Sequence, residues 1–280
     1  MSWTKIKSDY SKIIVYKGLA PSIPIKGYAV VIKNDGNYKI KILKSDDSDN
    51  RQTVSQLSKN NKALVAINGG YFLRHLNPSR HVGLLKSSGK MIEEASPSVL
   101  RKNIQYFTNR GAIGVTHDGR IDIGWCSTNS NNIYLWDSVL SNKPGYPADS
   151  LRYKDKDVWD VNSALHAGPV IVQNGKISIT SIEEVFFDTP IVGVHPRSAI
   201  GYRENGDIVL MVIDGRQVES RGAYLEELAL LMTQFDCVEA LNLDGGGSST
   251  LVVNNDLINS PLGLTSQREV MSAIAIVEDI

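Results

Sequence analysis

The sequence predicts an α+β fold: a mainly antiparallel, mixed sheet built from hairpins, with a few helices packed on it. Three observations carry this reading. β-rich runs recur in pairs around two-residue turns. Only two stretches show helical spacing of their apolar residues. Hydrophobic residues make up 42% of the 280-residue chain, enough for a large core. No composition shift marks a boundary, so residues 1–280 read as a single domain. Within it, 1–60 supply an N-terminal hairpin and helix, and 126–164 an insertion or lid.

Each element has its own signal. AVVIKNDGNYKIKIL sets two β-runs around Asp35-Gly36, and NRQTVSQLSKNN (50–61) follows as a helix. GLLKSSGKMI turns at Ser88-Gly89, and AIGVTHDGRIDIGW at Asp118-Gly119. Residues 126–164 are polar, with several Asn, Ser, Asp and Pro, and read as a long excursion. Further hairpins turn at Asn174-Gly175, Asn205-Gly206 and Asn254-Asn255. Asn-Gly and Asp-Gly favour the positive φ of tight turns, which is why these pairs predict hairpins. YLEELALLMTQF (224–235) is the better helix, with Leu225, Leu228, Leu231, Met232 and Phe235 on one face.

Composition excludes some partners. Lys+Arg and Asp+Glu are both 30, so a balanced charge gives no general drive toward nucleic acid or an anionic membrane. No run of eighteen apolar residues occurs, so no transmembrane segment is expected. The opening MSWTKIKSDYSK lacks the apolar stretch of a signal peptide, although a leader already removed would leave the same picture. Cys126 and Cys237 are the only cysteines, without metal-binding C-x2-C spacing. They form one disulfide or remain two buried thiols.

Two glycine loops share a design. ALVAI delivers Asn68-Gly69-Gly70-Tyr71, and EALNL delivers Asp244-Gly245-Gly246-Gly247-Ser248-Ser249. In each, a buried-looking strand ends in one polar side chain and then glycines, which let a ligand approach the backbone amides. A nucleotide P-loop is disfavoured, because no Gly-Lys-Ser/Thr follows and TLVVNN looks like a strand. The Rossmann pattern fails likewise, and a linker does not sit between two apolar β-runs. A structural turn and an anion or sugar site both remain open. Arg197 begins one strand of a hairpin and Asp214 ends the other, with Arg216 beyond, so these groups share one end of a sheet. His166 is a general base, a metal ligand or, more commonly for a lone strand histidine, a structural residue. Glu227 opens the second helix, where the helix dipole alone favours acid.

These motifs, NGGYF, PRSAIG, DGRQ and NLDGGGSST in that order, with AGPVIVQNG before PRSAIG and REVMSAIAI at the end, resemble the phosphodiester glycosidase family over about residues 60–280. The chain departs from the family pattern at Gly222-Ala223-Tyr224-Leu225 and at Ser198, and 126–164 has no placed counterpart. The resemblance implies cleavage of a sugar from a sugar-1-phosphodiester, with a small-molecule or glycan phosphodiester as substrate and a site outside the cytoplasm. A cytoplasmic location stays open. Asp244 and Asp214 then become candidate nucleophile or base, and Arg197 with Arg216 candidate phosphate ligands. Amides of Gly245–Ser248 would share the phosphate. Asn68 and Tyr71 would face the sugar, and Arg268 would support them. No cofactor is required. A divalent cation, calcium or magnesium, on Asp214, Asp244 and Asn68 defines the alternative of a metal-dependent phosphodiesterase. A non-catalytic carbohydrate- or polyanion-binding module is the other alternative.

Overall fold

The structure, a computed structural model, describes residues 1–6, 12–20, 22–263 and 266–279. Strand accounts for 44% of the chain and helix for 8%. The α+β class is therefore corrected to a mainly β fold. The two helical stretches do form, but as α1 (Val54–Asn60) and α2 (Leu225–Thr233), seven and nine residues long. At 3.6 residues per turn each is under three turns, enough to cover part of a sheet but not to form a layer.

Three antiparallel sheets dominate. The largest has eight strands, in the spatial order Ser2–Ile6, Ile13–Ala20, Ile25–Ile32, Ile208–Ile213, Arg197–Arg203, Cys237–Asn242, Val170–Gln173 and Lys176–Ile177. A six-stranded sheet centres on Arg110–Val115 between Ile121–Asn129 and Ser163–His166. A five-stranded sheet centres on Val65–Asn68 between Leu251–Val253 and Ser272–Glu278. Their inner faces meet in one core containing Ile32, Ile67, Leu85, Ile113, Ile200, Leu241 and Ile274.

The outer faces explain runs with no polar alternation. Ile208–Ile213 is buried at every position but the first. One face of this region enters the common core, while Met211 and Ile213 pack with Leu225, Leu228 and Met232 of α2. A strand covered on both sides has no solvent face to keep polar. Helix α1 does the same for the five-stranded sheet, packing Val54 and Leu57 on Ala66, Val252 and Ala273. Thr53 caps it, accepting from the Gln56 amide while the Gln56 side chain reaches back to the Thr53 amide.

Five of the six expected hairpins form. The sixth does not. Gly36 takes φ +81°, as its turn signal requires, but Ile25–Ile32 lies in the eight-stranded sheet and Tyr38–Lys44 in the five-stranded one. The Asp35-Gly36 turn hands the chain between sheets. Residues 126–164 contain the end of Ile121–Asn129, the strand Asn132–Trp136 and irregular backbone up to Ser163–His166. Cys126 and Cys237 are both free and buried, with no disulfide between them.

Candidate active site

The two glycine loops meet where the five- and eight-stranded sheets come together. Asn68 Nδ2 donates to the Asp244 carbonyl at 2.7 Å, and the Asp244 amide donates to the Gly69 carbonyl at 3.0 Å. Asn68 Oδ1 accepts from the Ser198 hydroxyl at 2.6 Å and the Thr250 amide at 3.1 Å. Asn68 is thus fully engaged, wholly buried and outside the cavity beside it. It joins the segments carrying Arg197 and Asp244. The Tyr71 hydroxyl donates to the Gly168 carbonyl and accepts from Asn242 Nδ2.

Beyond this junction opens a cavity of about 370 Å³, a size suited to a small ligand. Asp244, Gly245, Gly246 and Gly247 form one wall, with Tyr71, Phe186 and Ile191 also lining it. Five arginines reach it: Arg101, Arg110, Arg197, Arg216 and Arg268. Asp244 is the sole carboxylate among the described lining residues. Five cations against one carboxylate give the cavity a strongly positive lining. A larger groove of about 860 Å³ runs beside Tyr38–Lys44, but no residue of the predicted motifs lines it.

The glycines serve packing more than amide display. Gly246 adopts φ +62°, and a Cβ on Gly247 would stand 2.5 Å from the Arg268 guanidinium. A side chain at Gly246 would be strained by that backbone conformation, and one at Gly247 would displace the Arg268 guanidinium. The expected bed of amides is mostly spent: Gly245 N–H donates to Asp244 Oδ1, Gly246 N–H to the Pro196 carbonyl and Ser248 N–H to the Gly245 carbonyl. Among the described residues, the Gly247 amide alone of these four carries no such bond.

Asp244 is half-buried, and burial pushes its carboxyl up to about 6. The Ser248 hydroxyl, the Gly245 amide and Arg268 pull it partway back. Arg197 is 2% exposed. Its Nε donates to the Ala223 carbonyl, and its Nη2 to those of Ile191 and Gly193. Carbonyls rather than carboxylates hold it, so its charge is solvated but not neutralised. Burial lowers its pKa, and Tyr71 opposes that. Arg216 Nη2 lies 3.1 Å from His195 Nδ1, whose Nε2 lies 2.7 Å from the Pro190 carbonyl. This pattern fits a neutral imidazole protonated on Nε2, and burial lowers the His195 pKa accordingly.

Several predicted site residues lie elsewhere. Asp214 is wholly buried, with Oδ1 accepting from Asn259 Nδ2 and the Ser260 amide, and Oδ2 3.4 Å from Lys26 Nζ. The shared sheet end is present, since Arg197 pairs with Ile213. Asp214 comes one residue later, and successive strand side chains point to opposite faces. Asp214 is therefore buried and absent from the lining of the cavity that holds Asp244. His166 is buried against Cys126, Nε2 to Sγ 3.1 Å, and burial drives its pKa down to about 3. It does not line the cavity around Asp244. Glu227 caps α2 by accepting from the Tyr224 amide, and it pairs with Arg221. Gly69 and Gly70 pack against Ser272 and the His166 carbonyl, and Ser248 and Ser249 are buried behind the cavity wall. Asp214, Asn68 and Asp244, the donor set expected for a divalent cation, each hydrogen-bond to different partners. Among the described residues no cluster of three or more His, Cys, Asp or Glu side chains is set to hold a metal.

Arg101 and Arg110 were not legible as site residues. Both donate to the Val185 carbonyl, and Arg110 stacks over the Phe186 ring at 4.4 Å. Burial lowers the Arg110 pKa to about 10, opposed by Glu184. Glu184 is itself buried, accepting from the Gly111 and Val170 amides, Trp125 Nε1 and the Thr180 hydroxyl. The sequence offers a weak signal for this cluster in EEVFFDTP, an aromatic pair inside a polar loop.

Fold and cavity together describe a β-sheet protein with an arginine-lined cavity around Asp244, a carboxylate of raised pKa. Residues 61–277 match the family model described as phosphodiester glycosidase, and the chain belongs to that family. The bovine N-acetylglucosamine-1-phosphodiester alpha-N-acetylglucosaminidase is 27% identical over 223 residues, covering 76% of this chain. The mouse protein of that name is 30% identical over 220 residues, covering 75% of this chain. The chain spans about a third of each relative's length, 36%. Among solved structures, a hypothetical protein from Synechocystis superposes with a TM-score of 0.66 at 18% identity, covering 99% of this chain and 64% of that one. The zebrafish N-acetylglucosamine-1-phosphodiester alpha-N-acetylglucosaminidase catalytic domain, auto-inhibited by its pro-peptide, gives 0.62 at 20% identity, covering 98% and 81%. These two likenesses establish the fold. Among the described residues no helix is long and apolar enough to cross a membrane.

Proposed function

We propose that the protein hydrolyses a sugar-1-phosphodiester between the anomeric carbon and the bridging oxygen, releasing the sugar and a phosphomonoester. The observation that carries this reading is the pairing of five arginines with one carboxylate, Asp244, in a single cavity. A phosphate ester is a far better leaving group than a sugar alkoxide. It needs charge stabilisation more than protonation, so the general acid used by ordinary glycosidases is dispensable.

Each residue then has a task. Arg197 and Arg216 approach the glycine wall from the segments flanking it and hold the non-bridging phosphate oxygens, with the Gly247 amide as a further donor. Arg268, against Gly247, balances the charge that develops on the departing oxygen. Ionised Asp244 assists attack at the anomeric carbon from the same wall, and at about 6 its pKa suits work near neutral pH. Tyr71 keeps its proton, since burial raises its pKa, and with its hydroxyl held by Gly168 and Asn242 it forms a fixed, neutral part of the cavity lining. Neutral His195 orients Arg216 by accepting its hydrogen bond. The mouse and bovine relatives' names support N-acetylglucosamine as the sugar.

The test is direct. The purified protein is incubated with an N-acetylglucosamine-1-phosphodiester, and both products are measured. The reading requires equal amounts of sugar and phosphomonoester, and loss of both in Asp244→Asn. Binding without turnover would favour the carbohydrate- or polyanion-binding alternative instead.

A further inference from the structure

The cavity around Asp244 does not stop at Arg268. That side chain also lines a second cavity of about 350 Å³, bounded by Arg51, Arg74, His75 and Glu269. Arg51 is committed, with Nε and Nη2 on Asp49 Oδ2 at 3.1 and 2.9 Å and Nη1 on the Arg74 carbonyl at 3.0 Å. Arg74 and Arg268 differ. Among the described residues, neither guanidinium has a hydrogen-bonding or ion-pair partner. They are close enough that Arg74 disfavours the charge on Arg268, a cost second only to burial there. Glu269 offsets one charge at this cavity, and Asp49 is spent on Arg51.

The charge count points the same way. A scissile phosphodiester carries one negative charge, whereas the first cavity alone presents five arginines against Asp244. A surplus that continues through a shared arginine into a second basic cavity suits a ligand with more than one anionic group. We infer that Arg74 and Arg268 form a second phosphate subsite, which receives a further phosphate on the departing half of the substrate. This rests on the phosphodiester glycosidase reading and narrows it. The favoured substrates are sugar-1-phosphodiesters whose released monoester carries at least one additional phosphate, as in a repeating phosphodiester chain.

Calorimetric binding of non-hydrolysable product mimics tests the subsite without turnover. The probes are methyl phosphate and the bisphosphates of ethane-1,2-diol, propane-1,3-diol and butane-1,4-diol, a series that varies the phosphate spacing. At low salt, at least one bisphosphate should bind about tenfold more tightly than methyl phosphate, the size of one added charged contact. Arg74→Ala should abolish that advantage and leave methyl phosphate binding within about twofold, and Arg74→Lys should restore part of it. The Arg74 side chain is exposed and only its carbonyl serves Arg51, so neither substitution threatens the fold. The subsite is refuted if no bisphosphate outbinds methyl phosphate, or if Arg74→Ala weakens both alike. Absence of sugar release would count against the proposed reaction, while absence of bisphosphate preference would count against the subsite alone.

Discussion

Asp244→Asn should abolish activity and stabilise the protein at once. In the folded state the carboxyl is pushed from 3.8 to about 6, chiefly by burial. Each pH unit of displacement is worth ~1.4 kcal/mol, so ionised Asp244 costs the native state ~3 kcal/mol at most. Its partial opening to solvent reduces this to about 1–2 kcal/mol. The sign follows from linkage. A carboxyl with a raised folded pKa leaves stability intact below the unfolded pKa and removes it as pH rises through the folded value. Asparagine keeps an oxygen to accept the Gly245 amide and never ionises. In thermal unfolding at pH 7 the variant should therefore melt about 2–4 °C above wild type. The gap should close toward pH 4, where the wild-type carboxyl is protonated. Sugar release should fall about 10²–10⁴-fold. A variant that melts lower at pH 7, or shows the same offset at pH 4 and pH 7, would refute the claim that Asp244 is a strained carboxylate.

The pH profile of kcat/KM should rise with pH and bend near 6, because the ionised form of Asp244 works; a profile that falls through that region would assign it the role of acid. Arg216→Ala should lower kcat/KM about 10- to 100-fold on phosphodiesters, the value of one charged hydrogen-bonding contact, and much less on an aryl glycoside. Equal losses on both substrates would remove Arg216 from the phosphate. His166→Ala should cost ~2–4 kcal/mol in denaturant unfolding through the cavity it leaves beside Cys126, with turnover per folded molecule within twofold of wild type. A selective loss of turnover would return His166 to the site.

The hairpins were legible because Asn-Gly and Asp-Gly demand a backbone conformation that few residues supply. That chemistry reverses the chain but does not choose its neighbour, and so Asp35-Gly36 turns without pairing its flanking strands. The fold class failed for a related reason. Leu225, Leu228 and Met232 announce a helix correctly, but periodicity is silent about how little of the chain two short helices occupy. At the site, the glycine motifs pointed to a loop, Asp244–Gly247, that lines the arginine-bearing cavity. Asp214 stands at the expected sheet end but is buried away from the cavity, because sequence marks the end of a strand more readily than the face its last side chain takes. Arg101 and Arg110 gave no sequence signal because they meet the Val185 carbonyl only through tertiary packing. Asn68 lies next to the cavity but has its amide atoms bonded within the protein. A buried asparagine with both amide atoms bonded looks, in sequence, the same as one that faces a ligand.

The central claim is that the bond broken joins the anomeric carbon to oxygen, and hydrolysis in water enriched with heavy oxygen tests it most directly. Mass spectrometry of both products from a single turnover should find the label in the sugar and none in the phosphomonoester. Label in the phosphate would place the attack on phosphorus, and the arginine-lined cavity around Asp244 would then belong to a phosphodiesterase rather than a glycosidase.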